Sequence, residues 1–180
     1  MNSNPWTTKS KHTVYENPWI RVEHREVLTP AGTDGIYGLI HYKNHAVGVV
    51  PIDEAGYTYL VGQFRYALGQ YEWEIPEGGC PVGSDLLDTA RRELREETGL
   101  EADHWEQIME FYLSNSVSDE YGVAFVARGL RQGTAEPEDT EELRVRRLPL
   151  AEAVAMTLDG RITDALSVLA LQRVALLEKK

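Results

Sequence analysis

Residues 78–100 read GGCPVGSDLLDTARRELREETGL, and the second half of that stretch carries both a helix and its chemistry. The pattern predicts a helix from about Asp85 to Thr98, with Ser84 as N-cap and Gly99 as C-terminal stop. Asp85 and Asp88 near its start suit the helix dipole. Glu93, Glu96 and Glu97 then stand at i, i+3 and i+4, so a period of about 3.6 residues stacks three carboxylates on one face. Each like-charged pair destabilises a bare helix by roughly 0.2–0.5 kcal/mol, and something cationic should compensate. Arg91, Arg92 and Arg95 supply part, and a bound divalent ion could supply more. Oxygen donors alone suit Mg2+ or Mn2+, and with one cysteine there is no Cys/His cluster to favour zinc. A run such as RRELREE is ordinarily just a solvated, salt-bridged face. The glycines before it and Glu-Glu-Thr-Gly-Leu at its end shift the weight toward function.

Working outward, Trp19 to Val27 alternates apolar and polar residues and reads as a strand with one wet face. Pro30, Gly32 and Gly35 mark a turn into a second strand, Ile36 to Tyr42, giving an N-terminal hairpin. His45 to Ile52 and Tyr57 to Phe64 are apolar, β-branched segments around Asp53-Glu54-Ala55-Gly56, which predicts a second hairpin. Tyr71 to Ile75 is a short strand ending at Pro76, and Gly78 to Gly83 reads as a glycine-rich turn. Beyond the helix, Glu106–Leu113, Gly122–Leu130 and Leu143–Leu148 read as strands, and Leu150–Leu158 and Thr163–Glu178 as helices. Strands, a helix, more strands and more helices imply an α+β fold, a mixed β-sheet flanked by helices.

A chain of 180 residues, 42% hydrophobic and 26% charged, fits one domain with a substantial core. No apolar run is long enough to span a bilayer, and the N-terminus lacks the apolar segment of a signal peptide. The single Cys80 excludes an internal disulfide and fits a reducing compartment, so a cytoplasmic location is expected. A net charge of −11 weighs against a nucleic-acid partner, whose phosphates call for Lys and Arg. It is compatible with a phosphorylated small molecule screened by divalent metal.

The segment resembles the signature of the Nudix family, Gly-x5-Glu-x7-Arg-Glu-U-x-Glu-Glu-x-Gly-U with U a bulky aliphatic residue. Gly78 fills the first glycine, and Arg92, Glu93, Leu94, Glu96, Glu97, Gly99 and Leu100 fill the second half in register. One position departs: Ser84 stands where the signature has its first glutamate, a supporting rather than ligating position, with Asp85 or Asp88 as alternative substitutes. The resemblance implies a Nudix α/β/α sandwich and metal-dependent hydrolysis of a diphosphate. It makes Glu93 and Glu97 the main metal ligands, with Glu96 assisting and the backbone carbonyl of Glu77 completing the set. Arg92 orients the glutamates, while Gly78 and Gly99 are structural.

Gln63-Phe64-Arg65-Tyr66 followed by Glu74-Ile75-Pro76-Glu77-Gly78 is similar to the pattern of the ADP-ribose pyrophosphatase branch, which implies that Arg65 contacts a substrate phosphate and Glu74 lies at the substrate site. The N-terminal hairpin is similar to that branch's dimerising hairpins. On that likeness residues 1–44 form a dimerisation region, residues 45–180 the hydrolase domain, and Trp19 and Tyr37 clamp the adenine in a homodimer. The acidic run Glu136 to Glu142 falls where the family carries a further glutamate acting as base; Glu141 matches best, with Glu142 and Glu138 as alternatives. Glu120 is a weaker candidate in the loop before it. The expected reaction takes a nucleotide sugar, ADP-ribose first, to AMP and ribose 5-phosphate. Rivals are other Nudix substrates (GDP-mannose, a dinucleoside polyphosphate or NADH) or a non-catalytic nucleotide-sugar sensor.

Overall fold

The structure, a computed structural model, describes residues 3–133 and 143–179. A mixed sheet lies at its centre in the order β7-β4-β9-β8: Glu77–Pro81, Asn44–Pro51, Tyr121–Gln132 and Leu100–Tyr112. β4 runs parallel to β9, and the outer pairs β4–β7 and β8–β9 are antiparallel. The two central strands are apolar on both faces because both faces are covered. On one face Val47, Val49, Val123, Phe125 and Ala127 pack with Ala90 and Leu94 of α1 (Leu86–Thr98). On the other, Val50, Ile52, Ala124 and Val126 pack with Leu166, Ala170 and Val174 of α3 (Ala165–Leu177). The alternation of successive residues between two apolar layers yields an α/β/α sandwich. α2 (Leu150–Leu158) joins the α3 side through Ala153 and Met156.

The turn at Asp53–Gly56 forms, yet the strands it links do not make the expected hairpin. β4 stays in the central sheet, whereas β5 (Tyr57–Arg65) enters a second sheet ordered β10-β5-β6, with Arg144–Pro149 and Gln70–Glu74. Outside the named strands a single bridge, Ile52 to Thr58, joins the two segments. The physical reason is that β4 is already flanked by β7 and β9 and has no free edge to offer. The expected glycine-rich turn is also different: Glu77–Pro81 is strand β7, paired with β4. At α1 the N-cap is Asp85, whose carboxylate accepts from the Asp88 amide at 2.9 Å, and Ser84 is one residue too early. Gly99 closes α1 with φ 70°, as expected of an αL stop.

The N-terminal hairpin of β2 (Ile20–Leu28) and β3 (Asp34–Tyr42) is present, and β1 (Thr7–Glu16) adds a third antiparallel strand that was not expected. All ten residues of β1 are exposed, so no burial period marks it in the sequence. Glu23 is buried in this sheet, with its carboxylate bonded to Arg25 at 2.7 Å. The sheet meets the central body through the backbone of Ile40, paired with Val117 and Asp119. No helix among the described residues is long and apolar enough to cross a membrane.

Candidate active site

β6 ends at Glu74, the chain bends through Ile75-Pro76, and β7 begins at Glu77. α1 lies against β7 and lays Glu93 across its backbone. At Gly78 a side chain is sterically impossible without movement: a Cβ there would stand 2.1 Å from Glu93 Oε1. One turn on, Glu97 Oε2 accepts from the Glu77 amide at 2.9 Å, which fixes the helix to the elbow. Glu93 and Glu97 are buried, at 8% and 3% exposure. Arg92 donates to Glu93 Oε1 at 2.6 Å, to Glu96 Oε2 at 2.9 Å and to the Gly79 carbonyl at 3.3 Å. The structure therefore brings together Gly78, Arg92, Glu93, Glu96 and Glu97, the residues the signature singles out.

Arg65, at the end of β5, also reaches the elbow. Its Nε donates to both Glu74 oxygens at 2.9 Å, and its Nη2 reaches Glu77 Oε1 at 3.2 Å. Burial works against the guanidinium's charge, but the Glu74 bond and the charges of Glu74 and Glu77 outweigh it and raise its pKa. Glu74 is only 3% exposed and sits beneath Arg65 rather than on the open surface. Sequence reading missed Asp164, the N-cap of α3, whose carboxylate oxygen lies with those of Glu74 and Glu77 within 4.8 Å of one another. Thr163-Asp164 before an apolar run signals a helix cap; its place beside the elbow is a tertiary fact. Ser167 Oγ, one turn into α3, accepts from the buried Ile75 amide at 2.9 Å and docks that helix on the elbow.

Three carboxylates thus share one guanidinium. Burial first, then the charges of Asp164 and Glu74, push the Glu77 carboxyl well above its ordinary range. Burial likewise raises Glu74 against the pull of Arg65. Glu77 Oε2 is buried with no hydrogen-bond partner among the described residues. Surplus negative charge, an unsatisfied carboxylate oxygen and oxygen-only donors fit a divalent cation.

Above this acidic well is a cleft of about 400 Å³ lined by Trp19, Tyr42, Arg65, Glu77, Gly78 and Glu120 among others. Glu120 is raised by burial, against a hydrogen bond from the Tyr42 hydroxyl, so the weaker candidate does reach the cleft. Trp19, 65% exposed, stands at its rim. Tyr37 lies elsewhere. Its hydroxyl donates to the Ser116 carbonyl, its ring meets Trp6 edge-on at 5.6 Å, and it lines a groove with Trp6 and Arg25. Trp19 lines the cleft and Tyr37 this other groove, so a clamp made of both would draw its rings from two chains. Glu138, Glu141 and Glu142 lie outside the described residues.

Residues 43–169 match the NUDIX domain, and residues 6–40 match the nucleoside diphosphate sugar hydrolase N-terminal domain. The chain is 29% identical over 171 residues to an ADP-ribose pyrophosphatase of Mycobacterium tuberculosis, covering 93% of this chain and 82% of that protein. It is 30% identical over 167 residues to a methanol dehydrogenase activator of Bacillus methanolicus, covering 92% and 90%. A solved structure described as an ADP compounds hydrolase superposes with a TM-score of 0.88 at 24% identity, over 99% of this chain and 97% of that one.

Proposed function

This chain belongs to the Nudix family and is a Nudix hydrolase, and from that membership we propose that it cleaves the pyrophosphate of a nucleoside diphosphate sugar, ADP-ribose foremost, to AMP and ribose 5-phosphate. The observation that carries this reading is Arg65 and Glu77 lining a cleft rimmed by an exposed tryptophan, with Glu97 bonded to the Glu77 amide and Glu93 lying against Gly78. Mg2+ or Mn2+ would be held by Glu93, Glu96, Glu97 and the backbone carbonyl of Glu77, and would supply charge neutralisation for a diphosphate and a lowered pKa for the attacking water. Arg65, already fixed by Glu74, loses little freedom on meeting a phosphate oxygen. Arg92 holds Glu93 and Glu96 in place. Glu141 takes the proton of the attacking water, with Glu142 and Glu138 the neighbouring alternatives.

The reading includes a homodimer built on the N-terminal sheet of residues 1–44, which sets Trp19 of one chain against Tyr37 of the other across the adenine, with residues 45–180 as the hydrolase domain. In its support, Trp6, Val14, Tyr15, Trp19 and Ile36 leave large apolar side chains exposed on that sheet and its approaches. A cytoplasmic location accords with the free, buried Cys80.

The test is product release across ADP-ribose, GDP-mannose, a dinucleoside polyphosphate and NADH, with Mg2+ and with EDTA. Metal-dependent turnover fastest on ADP-ribose is expected. Faster turnover of another substrate refutes the substrate assignment. Binding of ADP-ribose with no hydrolysis of any of them refutes the enzyme assignment and leaves a sensor.

A further inference from the structure

The face of α1 turned away from Glu93 and Glu97 borders a second groove, of about 460 Å³, whose residues other than Arg92 take no part in the chemistry above. Arg91, Arg92 and Arg95 line it from the helix, and Trp105 and Arg131 from β8 and β9. Asp88 and Glu101 also line it, and with Arg92 held by Glu93 and Glu96, three guanidiniums face these two carboxylates among the described residues. Local positive charge of this kind in an acidic protein is worth explaining.

Arg92 is engaged by Glu93 and Glu96, and the ion pairs of the other guanidiniums are open to water. Arg91 meets Asp88 at 3.0 Å, with 53% and 74% of the two side chains exposed; Arg131 meets Asp103 at 3.0 Å, at 62% and 50%, and Glu101 at 3.7 Å. Pairs so open to water are weak and exchange readily. Arg95 makes no ion pair among the described residues. Arg91 and Arg95 are one helical turn apart, where like charges repel until an anion relieves them. The Trp105 indole is held in place by its Nε1, which donates to the Ala102 carbonyl at 3.1 Å, and by edge contact with Phe125.

Guanidinium forks match phosphate oxygens in a way a simple point charge does not, and an immobilised indole offers a flat surface to a base. The volume also lies within the range of small-molecule sites. We propose that this groove is a second site, distinct from the hydrolytic cleft, for a phosphorylated nucleoside. Its phosphate rests on Arg91, Arg95 and Arg131, and its base against Trp105. The groove touches the hydrolytic site only through Arg92, and the groups that hold the ligand, Arg91, Arg95, Arg131 and Trp105, lie outside the cleft.

Calorimetric titration of the full chain with AMP, inorganic phosphate and adenosine, at low salt and in EDTA, tests this. The variants are R95Q/R131Q for the groove and R65A for the cleft. AMP should bind in EDTA and bind as tightly to R65A, while R95Q/R131Q should lose roughly tenfold or more in affinity per guanidinium. Phosphate and adenosine should each bind more weakly than AMP. The proposal is overturned if AMP does not bind, or if R95Q/R131Q binds it as wild type does. Loss of AMP binding in R65A, or inorganic phosphate binding as tightly as AMP, overturns it equally.

Discussion

Gly78→Ala isolates the claim that Glu93 must lie flat against β7. The added Cβ would stand 2.1 Å from Glu93 Oε1, 2.2 Å from its Cδ and 2.5 Å from Oε2, against 3.4 Å for the shortest ordinary contact. The carboxylate must therefore retreat by about 1.3 Å, the difference between 3.4 and 2.1 Å. It cannot do so while keeping its 2.6 Å bond to Arg92 unchanged. Misplacing a catalytic group by about 1 Å costs on the order of a hundredfold in rate. The stability cost is smaller: overpacking runs to about 1–3 kcal/mol, offset by about 0.4–1 kcal/mol from a stiffer unfolded chain. At about 2–4 °C per kcal/mol for a chain of this size, Tm should fall by no more than roughly 10 °C. Gly38→Ala is the control, since a Cβ there meets nothing within 4 Å and its φ is not positive. The assay is steady-state hydrolysis with Mg2+, alongside thermal melting of both variants. If G78A keeps wild-type kcat, the Glu93 geometry is not what hydrolysis depends on, and the reasoning fails.

Three further outcomes follow from single contacts. Glu97→Gln preserves an acceptor for the Glu77 amide, so Tm should hold within about 2 °C while kcat drops by about a hundredfold or more; a retained kcat would remove Glu97 from the metal set. Ser167→Ala strands the buried Ile75 N–H, costing about 1–3 kcal/mol and at least about 2 °C in Tm; an unshifted melt would show that α3 is not docked through that bond. Glu23 is held at about 2, below the usual 4.5, by its Arg25 hydrogen bond against burial, with His41 and Lys11 assisting. A depressed carboxylate stabilises above its unfolded pKa and loses that contribution as pH falls through its folded pKa. Glu23→Gln should therefore melt below wild type near neutrality, by a gap that closes between about pH 4.5 and 2. A gap that stays constant over that window would mean the charge is not what Glu23 contributes.

How much of this was legible from the residues alone depends on the range of the interaction. The stacking of Glu93, Glu96 and Glu97 follows from helical period, and the Gly99 stop from a conformation that glycine adopts without steric cost. Those are local, and sequence determined them, along with the Nudix motif and the strands β2, β3, β5 and β9 to within a few residues. β1 was missed because its ten exposed residues carry no burial period, only backbone pairing with β2. The hairpin signal at Asp53–Gly56 was a sound reading of a turn and a wrong reading of pairing, since the partners of β4 come from β7 and β9, distant in sequence. Gly78 and Gly79 read as turn residues, but pairing with β4 places them in a strand, and the packing of α1 puts Glu93 in the space a side chain at Gly78 would need. Asp164 and Ser167 gave no sign of the site beyond a helix cap; the docking of α3 brought them to the elbow. Sequence by itself determined the chemistry and its spacing along one helix, because neighbours in the chain set those. Tertiary structure decided which strands pair, where the glycines belong and which distant carboxylates join the well, because burial on both faces of the sheet selects partners that no local pattern encodes.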